Sequence, residues 1–356
     1  MEIVDYLKMM VEREASDLFF RAGTTVRLRL NGQVLPVTET MVSIDDIEMA
    51  LQKLLSEEAR ELFRKAKDID FAYFEPGMKR RFRVSIFMQR NWPSIVVRNI
   101  PPVSKTLEEL NVPAEILKKL SMERRGIVLL TGTMGSGKST TIASMVEYIN
   151  NNAYKHIFTL EEPIEFTFTD KKSLINQREL NKDVSSYPAA LRAFTLQSPD
   201  VIYIGNIRDL ETMQAALTVA ETGVLVLSTL HTVNAPQTVE RMINFFPPHQ
   251  HQQIRTQLSF LLKGVISLRL IPVKDGLSRV PAAEVMTLTP TIGRLIREGK
   301  IWEITKFLEE SEMFGMVSFN QSLSRLVKNG IVTEADAMEY ADSKDELILA
   351  LRGIKK

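Results

Sequence analysis

The feature that most constrains this chain is an apolar run, G-I-V-L-L-T from Gly126 to Thr131, that passes directly into G-T-M-G-S-G-K-S-T, Gly132 to Thr140. The second stretch fits the phosphate-loop pattern G-x-x-x-x-G-K-[ST] in full, and Ile142, Met145, Val146 and Ile149 supply the apolar face of a following helix. Strand, glycine-rich turn and helix in that order belong to a parallel-sheet α/β fold. The glycines let the backbone curl until successive amides and a helix N-terminus face phosphate oxygens. The pattern predicts that Gly132, Thr133, Met134, Gly135, Ser136, Gly137, Lys138, Ser139 and Thr140 cradle ATP. Lys138 would neutralise the β and γ phosphates, and the Ser139 hydroxyl would ligate Mg²⁺.

A second apolar run, in D-V-I-Y-I-G-N-I-R-D-L-E-T from Asp200 to Thr212, stops at Gly205 and is followed by Asn206, Arg208 and Asp209. The end of such a strand is where a nucleotide-driven enzyme places a carboxylate beside the terminal phosphate. Here the position holds an amide. An amide can orient water but is not a useful base, and asparagine is one methylene shorter than glutamate. Losing the carboxylate lowers rate by roughly 10²-fold to 10⁴-fold while the phosphate cradle stays intact.

Around this core the chain changes texture. At 356 residues it should divide into two or three domains. The first hundred residues read as α+β. Ile3, Leu7, Met10 and Val11 recur at helical spacing, and Val26, Leu28 and Leu30 alternate with arginines up to a tight Asn31-Gly32 turn within a hairpin over residues 16–37. Ser43 with Asp46 forms a capping box ahead of Ile47, Leu51, Leu54 and Leu55, and strands are expected at 81–88 and 94–100. Pro101-Pro102 marks a linker. The expected division is an N-terminal domain over 1–100, a linker over 101–112, an ATPase core over 113–280 and a helical region over 281–356. The last carries Phe319, Leu323, Leu326 and Val327 on one face and a second capping box at Ser343 and Glu346. His249-Gln250-His251 reads as a loop beside Pro247-Pro248, and with His156 it forms no convincing metal set.

Lys plus Arg number 45 against 44 Asp plus Glu, so charge gives no push toward nucleic acid. The absence of cysteine excludes disulfides and thiolate metal sites and suits a reducing compartment. No apolar run approaches the ~20 residues needed to cross a bilayer, so a soluble, cytoplasmic protein is expected.

Four further segments narrow the class: T-L-E-E-P-I-E-F from Thr159, G-N-I-R-D-L-E-T from Gly205, A-E-T-G from Ala220 and S-T-L-H-T from Ser228. In this order and spacing they resemble the secretion ATPase superfamily, and specifically the type IV pilus retraction ATPases of the PilT/PilU kind. The resemblance spans essentially the whole chain, including S-D-L-F at Ser16, R-F-R-V at Arg81 and L-I-R-E at Leu295. N-terminal details and R-M-I-N-F-F-P at Arg241 look closer to the PilU branch.

The resemblance implies a hexameric ring in which PAS-like N-terminal and RecA-like C-terminal domains sandwich ATP between subunits. It implies partners as well: a homo-hexamer or a hetero-hexamer with a PilT-type paralogue, and an inner-membrane pilus platform protein. By match to the family pattern, Arg83 and Arg98 are candidate arginine fingers, Glu165 lies in the acidic box, Arg208 follows the altered Asn206, and His231 lies in the histidine box. An arginine supplied across an interface stabilises charge on the transferring phosphoryl group.

The chain departs from the family where Asn206 replaces a glutamate, Val224 a histidine and Leu196 an arginine, and all three are expected near the chemistry. A further arginine of the retraction branch is replaced by Gly293. Three function classes follow: a retraction motor with weakened turnover, a nucleotide-holding subunit that works beside an active paralogue, and a DNA translocase. The balanced charge and the absence of a basic, aromatic-studded segment count against the last.

Overall fold

The computed structural model describes residues 2–352 apart from Asn31, Ser104, Leu277, Glu312 and Met313. The chain divides into two compact units, Met1–Pro102 and Val103–Lys356.

The first unit is built on a six-stranded sheet with the order β3-β2-β1-β6-β5-β4. Its strands are β1 Asp17–Arg21, β2 Thr25–Leu30, β3 Gln33–Met41, β4 Asp68–Glu75, β5 Arg80–Gln89 and β6 Trp92–Ile100, and neighbours run antiparallel. The strand period of two sends Leu18, Phe20, Leu28, Phe82, Val84 and Val97 into a core shared with Leu7, Met10, Ile47 and Leu51 of the helices Ile3–Glu12 and Ile44–Leu54. The opposite face is therefore left to the charged half of each strand. There the register sets Asp17 against Arg29 on one side and Arg98 on the other, and Arg98 in turn against Arg83. The Ser43–Asp46 capping box forms in both directions. Of the expected turn between β2 and β3, Asn31 lies outside the described residues.

The second unit carries a seven-stranded sheet, β13-β12-β7-β11-β10-β8-β9. These are β7 Gly126–Thr131, β8 His156–Glu161, β9 Leu174–Glu179, β10 Val201–Ile204, β11 Leu225–Leu230, β12 Leu262–Pro272 and β13 Arg279–Thr287. All neighbours are parallel except the edge strand β13, which runs antiparallel to β12. Both faces are covered, which is why the central strands are apolar throughout rather than alternating. Val128, Leu130, Tyr203 and Leu227 pack on the helix Lys138–Asn152, while Ile127, Leu129, Ile202 and Val226 pack on the helices Tyr187–Phe194, Leu210–Glu221 and His251–Leu261.

Four details differ from the sequence-based expectation. Residues 281–287 belong to β13, so a boundary at 280 would cut a strand, and the helical part begins beyond it. Leu107 and Val112 are buried with Leu117 and Val128, so the stretch expected as a linker is partly core. Pro248–Gln250 is a turn of 3₁₀ helix that leads into a helix opened by His251, rather than a loop; His251 Nε2 lies 2.9 Å from the Phe246 carbonyl. The second capping box is half made. Ser343 Oγ accepts from the Glu346 amide at 3.4 Å, while the Glu346 carboxylate accepts from Asn320 Nδ2 at 3.5 Å.

Candidate nucleotide site

A parallel sheet gathers the loops that follow its strands along one edge, and in such folds ligands bind there. Four of the predicted segments share that edge: the loop after β7, the stretch Glu161–Glu165 after β8, Gly205–Arg208 after β10 and His231 after β11.

The loop from Gly132 has the backbone that its glycines permit. Gly132 sits at φ +138°, and a Cβ there would come within 2.6 Å of Ser136 Oγ, so no larger residue fits. Gly135 and Gly137 also take positive φ, and Gly137 caps the helix Lys138–Asn152. Lys138 is buried, and its Nζ donates to the carbonyls of Gly132 at 2.9 Å and Thr133 at 2.8 Å. Burial pulls its pKa down, and the Glu165 charge partly opposes this. Ser136 Oγ is buried without a hydrogen-bond partner in the described residues, an unmet donor inside the cradle. Thr133, Met134 and Gly135 stand exposed at the tip, and Ser139 and Thr140 lie half-buried in the first helical turn. A loop of amides, one ammonium and a hydroxyl donor set fits a polyphosphate. The Ser139 hydroxyl is a hard oxygen of the kind that ligates Mg²⁺.

Along the same edge Thr229 fixes the altered segment. Its Oγ1 donates to the Gly205 carbonyl at 2.7 Å and its own carbonyl accepts from the Ile207 amide at 3.3 Å. Asn206 Oδ1 is buried with no hydrogen-bond partner among the described residues. Arg208 bridges to the neighbouring strand end, with Nη1 3.1 Å from Glu162 Oε2, while Asp209 caps the helix Leu210–Glu221. His231 is exposed. The surrounding protein, then the charges of Lys138 and Arg208, hold its pKa below the ordinary histidine value, so the neutral ring is favoured at neutral pH.

Glu161 is a functional candidate that the motif pattern does not mark. It ends β8 almost fully buried, 4% exposed, and accepts from Thr159 Oγ1 at 2.6 Å, the Glu165 amide at 3.3 Å and Gln177 Nε2 at 3.4 Å. Burial drives its pKa up to about 7 against those hydrogen bonds. A glutamate terminating a strand whose residues 157, 158 and 160 are all apolar, H-I-F-T-L-E, is the signal available in the sequence. Glu165, the residue singled out from that segment, is exposed.

The structure corrects the expectation that all three family departures lie near the chemistry. Val224 precedes β11, and its carbonyl accepts from the Gly126 amide at 3.1 Å, at the start of β7. Leu196 follows the helix Tyr187–Phe194 ahead of β10 and is 87% exposed. Both lie at the opposite end of the strands from the phosphate loop, a strand length of about 20 Å away. Asn206 alone is at the phosphate edge. Arg83 and Arg98 lie in the first unit: Arg83 Nε donates to Asp70 Oδ2 at 2.9 Å, and Arg98 Nε to Asp17 Oδ1 at 3.0 Å.

Fold and site together define a RecA-like P-loop ATPase. The chain matches the family described as Type II/IV secretion system protein over residues 2–333 and belongs to it. Within that family it is a secretion ATPase of the PilT/PilU group. It is 41% identical to the type IV pilus ATPase PilU of Pseudomonas aeruginosa, over 99% of this chain and 92% of that one. It is 39% identical to the same organism's pilus retraction ATPase PilT, over 96% of this chain and 98% of that one. The solved structure of the retraction motor PilT with bound ADP superposes with a TM-score of 0.90 at 38% identity, covering 97% of this chain and 98% of that chain. The Legionella pneumophila ATPase DotB superposes with a TM-score of 0.78 at 25% identity, covering 98% and 96%.

Proposed function

We propose that this chain is a subunit of a hexameric motor of type IV pilus retraction, acting in twitching motility, that binds ATP with Mg²⁺ firmly and turns it over slowly. The observation that carries this reading is the unequal state of one sheet edge: the phosphate loop is complete, whereas the end of β10 offers Asn206 in place of a carboxylate. In this arrangement the loop amides and Lys138 would hold the β and γ phosphates and Ser139 would hold Mg²⁺, which when bound would supply neutralisation of phosphate charge.

Asn206 can orient a water but cannot take its proton. Glu165, Glu162 and Glu161 are carboxylates of the neighbouring strand end, and Arg83 and Arg98 are the candidates to complete a neighbouring subunit's site across the ring. No described helix is long and apolar enough to cross a membrane, which fits a cytoplasmic ring held at the inner membrane by a platform protein. A nucleotide-holding subunit within a mixed ring with a PilT-type paralogue is the second reading, favoured by the same Asn206. Steady-state phosphate release by the purified hexamer, with and without a PilT-type partner, decides between them. Slow but loop-dependent release from the homomer supports the motor, and release only in the mixed ring supports the second reading. Light scattering that finds only monomer with ATP and Mg²⁺ present overturns both.

A further inference from the structure

The row of charges across the N-terminal sheet contains an arrangement that ordinary strand pairing disfavours. Arg83 and Arg98 stand directly opposite each other on β5 and β6, and like charges in that relation destabilise a sheet. Each arginine has its own aspartate, but the two are held differently. Arg83 gives Nε and Nη2 to Asp70, spending its fork on that partner. Arg98 gives only Nε, to Asp17 Oδ1 at 3.0 Å, and bonds nothing else among the described residues. Its terminal nitrogens remain open, with the side chain 66% exposed.

Asp17 is built to stay in place. It is 5% exposed on the middle strand of the row, and its second oxygen accepts from Arg29 Nε at 2.9 Å and Ser16 Oγ at 2.8 Å. Burial alone would raise its pKa, but the bonds from Ser16, Arg98 and Arg29 and the Arg98 charge outweigh burial and hold it below the usual carboxylate range. Arg29 is anchored in turn to the Gly32 carbonyl at 3.2 Å. A carboxylate fixed at two points and gripping a guanidinium by its Nε leaves the two-pronged Nη end aimed outward, the geometry that binds phosphate oxygens in pairs.

We infer that Asp17 is a positioning residue that sets Arg98, rather than Arg83, as the arginine presented to a phosphoryl group. This rests on the reading of Arg98 as a finger for a neighbouring subunit. The test uses the full-length hexamer with phosphate release, binding of a fluorescent ATP analogue and thermal melting read in parallel. Arg98→Ala should lower turnover at least about tenfold with analogue affinity unchanged, given what a finger supplies. Asp17→Asn should lower turnover by a similar factor, again in the rate and not the affinity, and should add nothing in the Arg98→Ala background.

If Arg98→Ala leaves turnover unchanged, the finger reading fails. If Arg98→Ala lowers turnover while Asp17→Asn is silent, or lowers it further by an independent factor in the double variant, the finger stands and the positioning role of Asp17 is overturned. Should Asp17→Asn fail to assemble, Asp17→Glu keeps the charge and displaces the guanidinium by one methylene. An Arg98-dependent loss of rate in that variant supports the inference, and parental turnover overturns it.

Discussion

The loop after β7 and the end of β10 face the same phosphate edge, yet they meet opposite demands. At the first, three glycines in positive φ, a buried lysine and an unpaired buried hydroxyl leave little that could change without loss of the cradle. At the second, Thr229 holds the backbone in place while the side chain at 206 has become an amide with an unmet acceptor. Both places have a defined backbone, but only the loop carries the full set of side chains its task calls for; an amide at 206 offers no base. On the proposed reading, holding nucleotide and hydrolysing it are separable on this edge, because the first would rest on the loop amides and Lys138 and the second on the group at position 206.

The largest effect is expected at the loop. Lys138→Ala removes the cation that the cradle is folded around and should weaken binding of a fluorescent ATP analogue by roughly 100-fold or more. Parental affinity in that variant would detach the loop from nucleotide altogether. Next in size, Asn206→Glu should raise the rate of phosphate release by about 10²-fold with affinity similar or slightly weaker. An unchanged rate in a hexamer that still binds would mean that the end of β10 is not what limits turnover.

Glu161 gives a smaller, pH-dependent effect. Its pKa stands near 7 in the fold against 4.5 ordinarily, so between those values the native state binds the extra proton and stability falls as pH rises. Glu161→Gln should remove a loss on the order of 2 kcal/mol between pH 5 and pH 8, read as a flatter dependence of Tm on pH. Glu284, also raised to about 7 by burial, would supply the residual slope. Smaller still are the two departures at the far edge. Val224→His buries a polar ring where the native side chain is 7% exposed, costing about 1 to 2 kcal/mol, and Leu196→Arg stays within about 0.5 kcal/mol. Neither should speed phosphate release, and a gain from either would show that the two ends of the sheet are coupled.

The strand, loop and helix from Gly126 onward were legible in the sequence because each follows from a local rule: an apolar run, glycines where the backbone must turn sharply, and apolar residues at helical spacing. The same holds for the Ser43 cap and the alternation on β2, β5 and β6. Family resemblance added the rest of the phosphate edge. What the linear pattern could not carry was position along a strand direction. Asn206, Val224 and Leu196 lie close together in sequence, but in a parallel sheet a residue before a strand and one after it are separated by the strand's whole length, so only Asn206 reaches the site. Burial was hidden for the same reason. Glu161 and Glu165 are four positions apart in one motif, and only the packing of β8 between β10 and β9 makes the first a protonatable interior group while leaving the second in solvent. Asp17 and Arg98 are distant in sequence, and no spacing joins them. Local pattern alone establishes that this chain folds around a phosphate loop and belongs with the pilus ATPases; which carboxylate is buried, which departure stands at the phosphate edge and which arginine keeps its terminal nitrogens open follow only from the folded chain, because burial and strand register are properties of the assembled sheets.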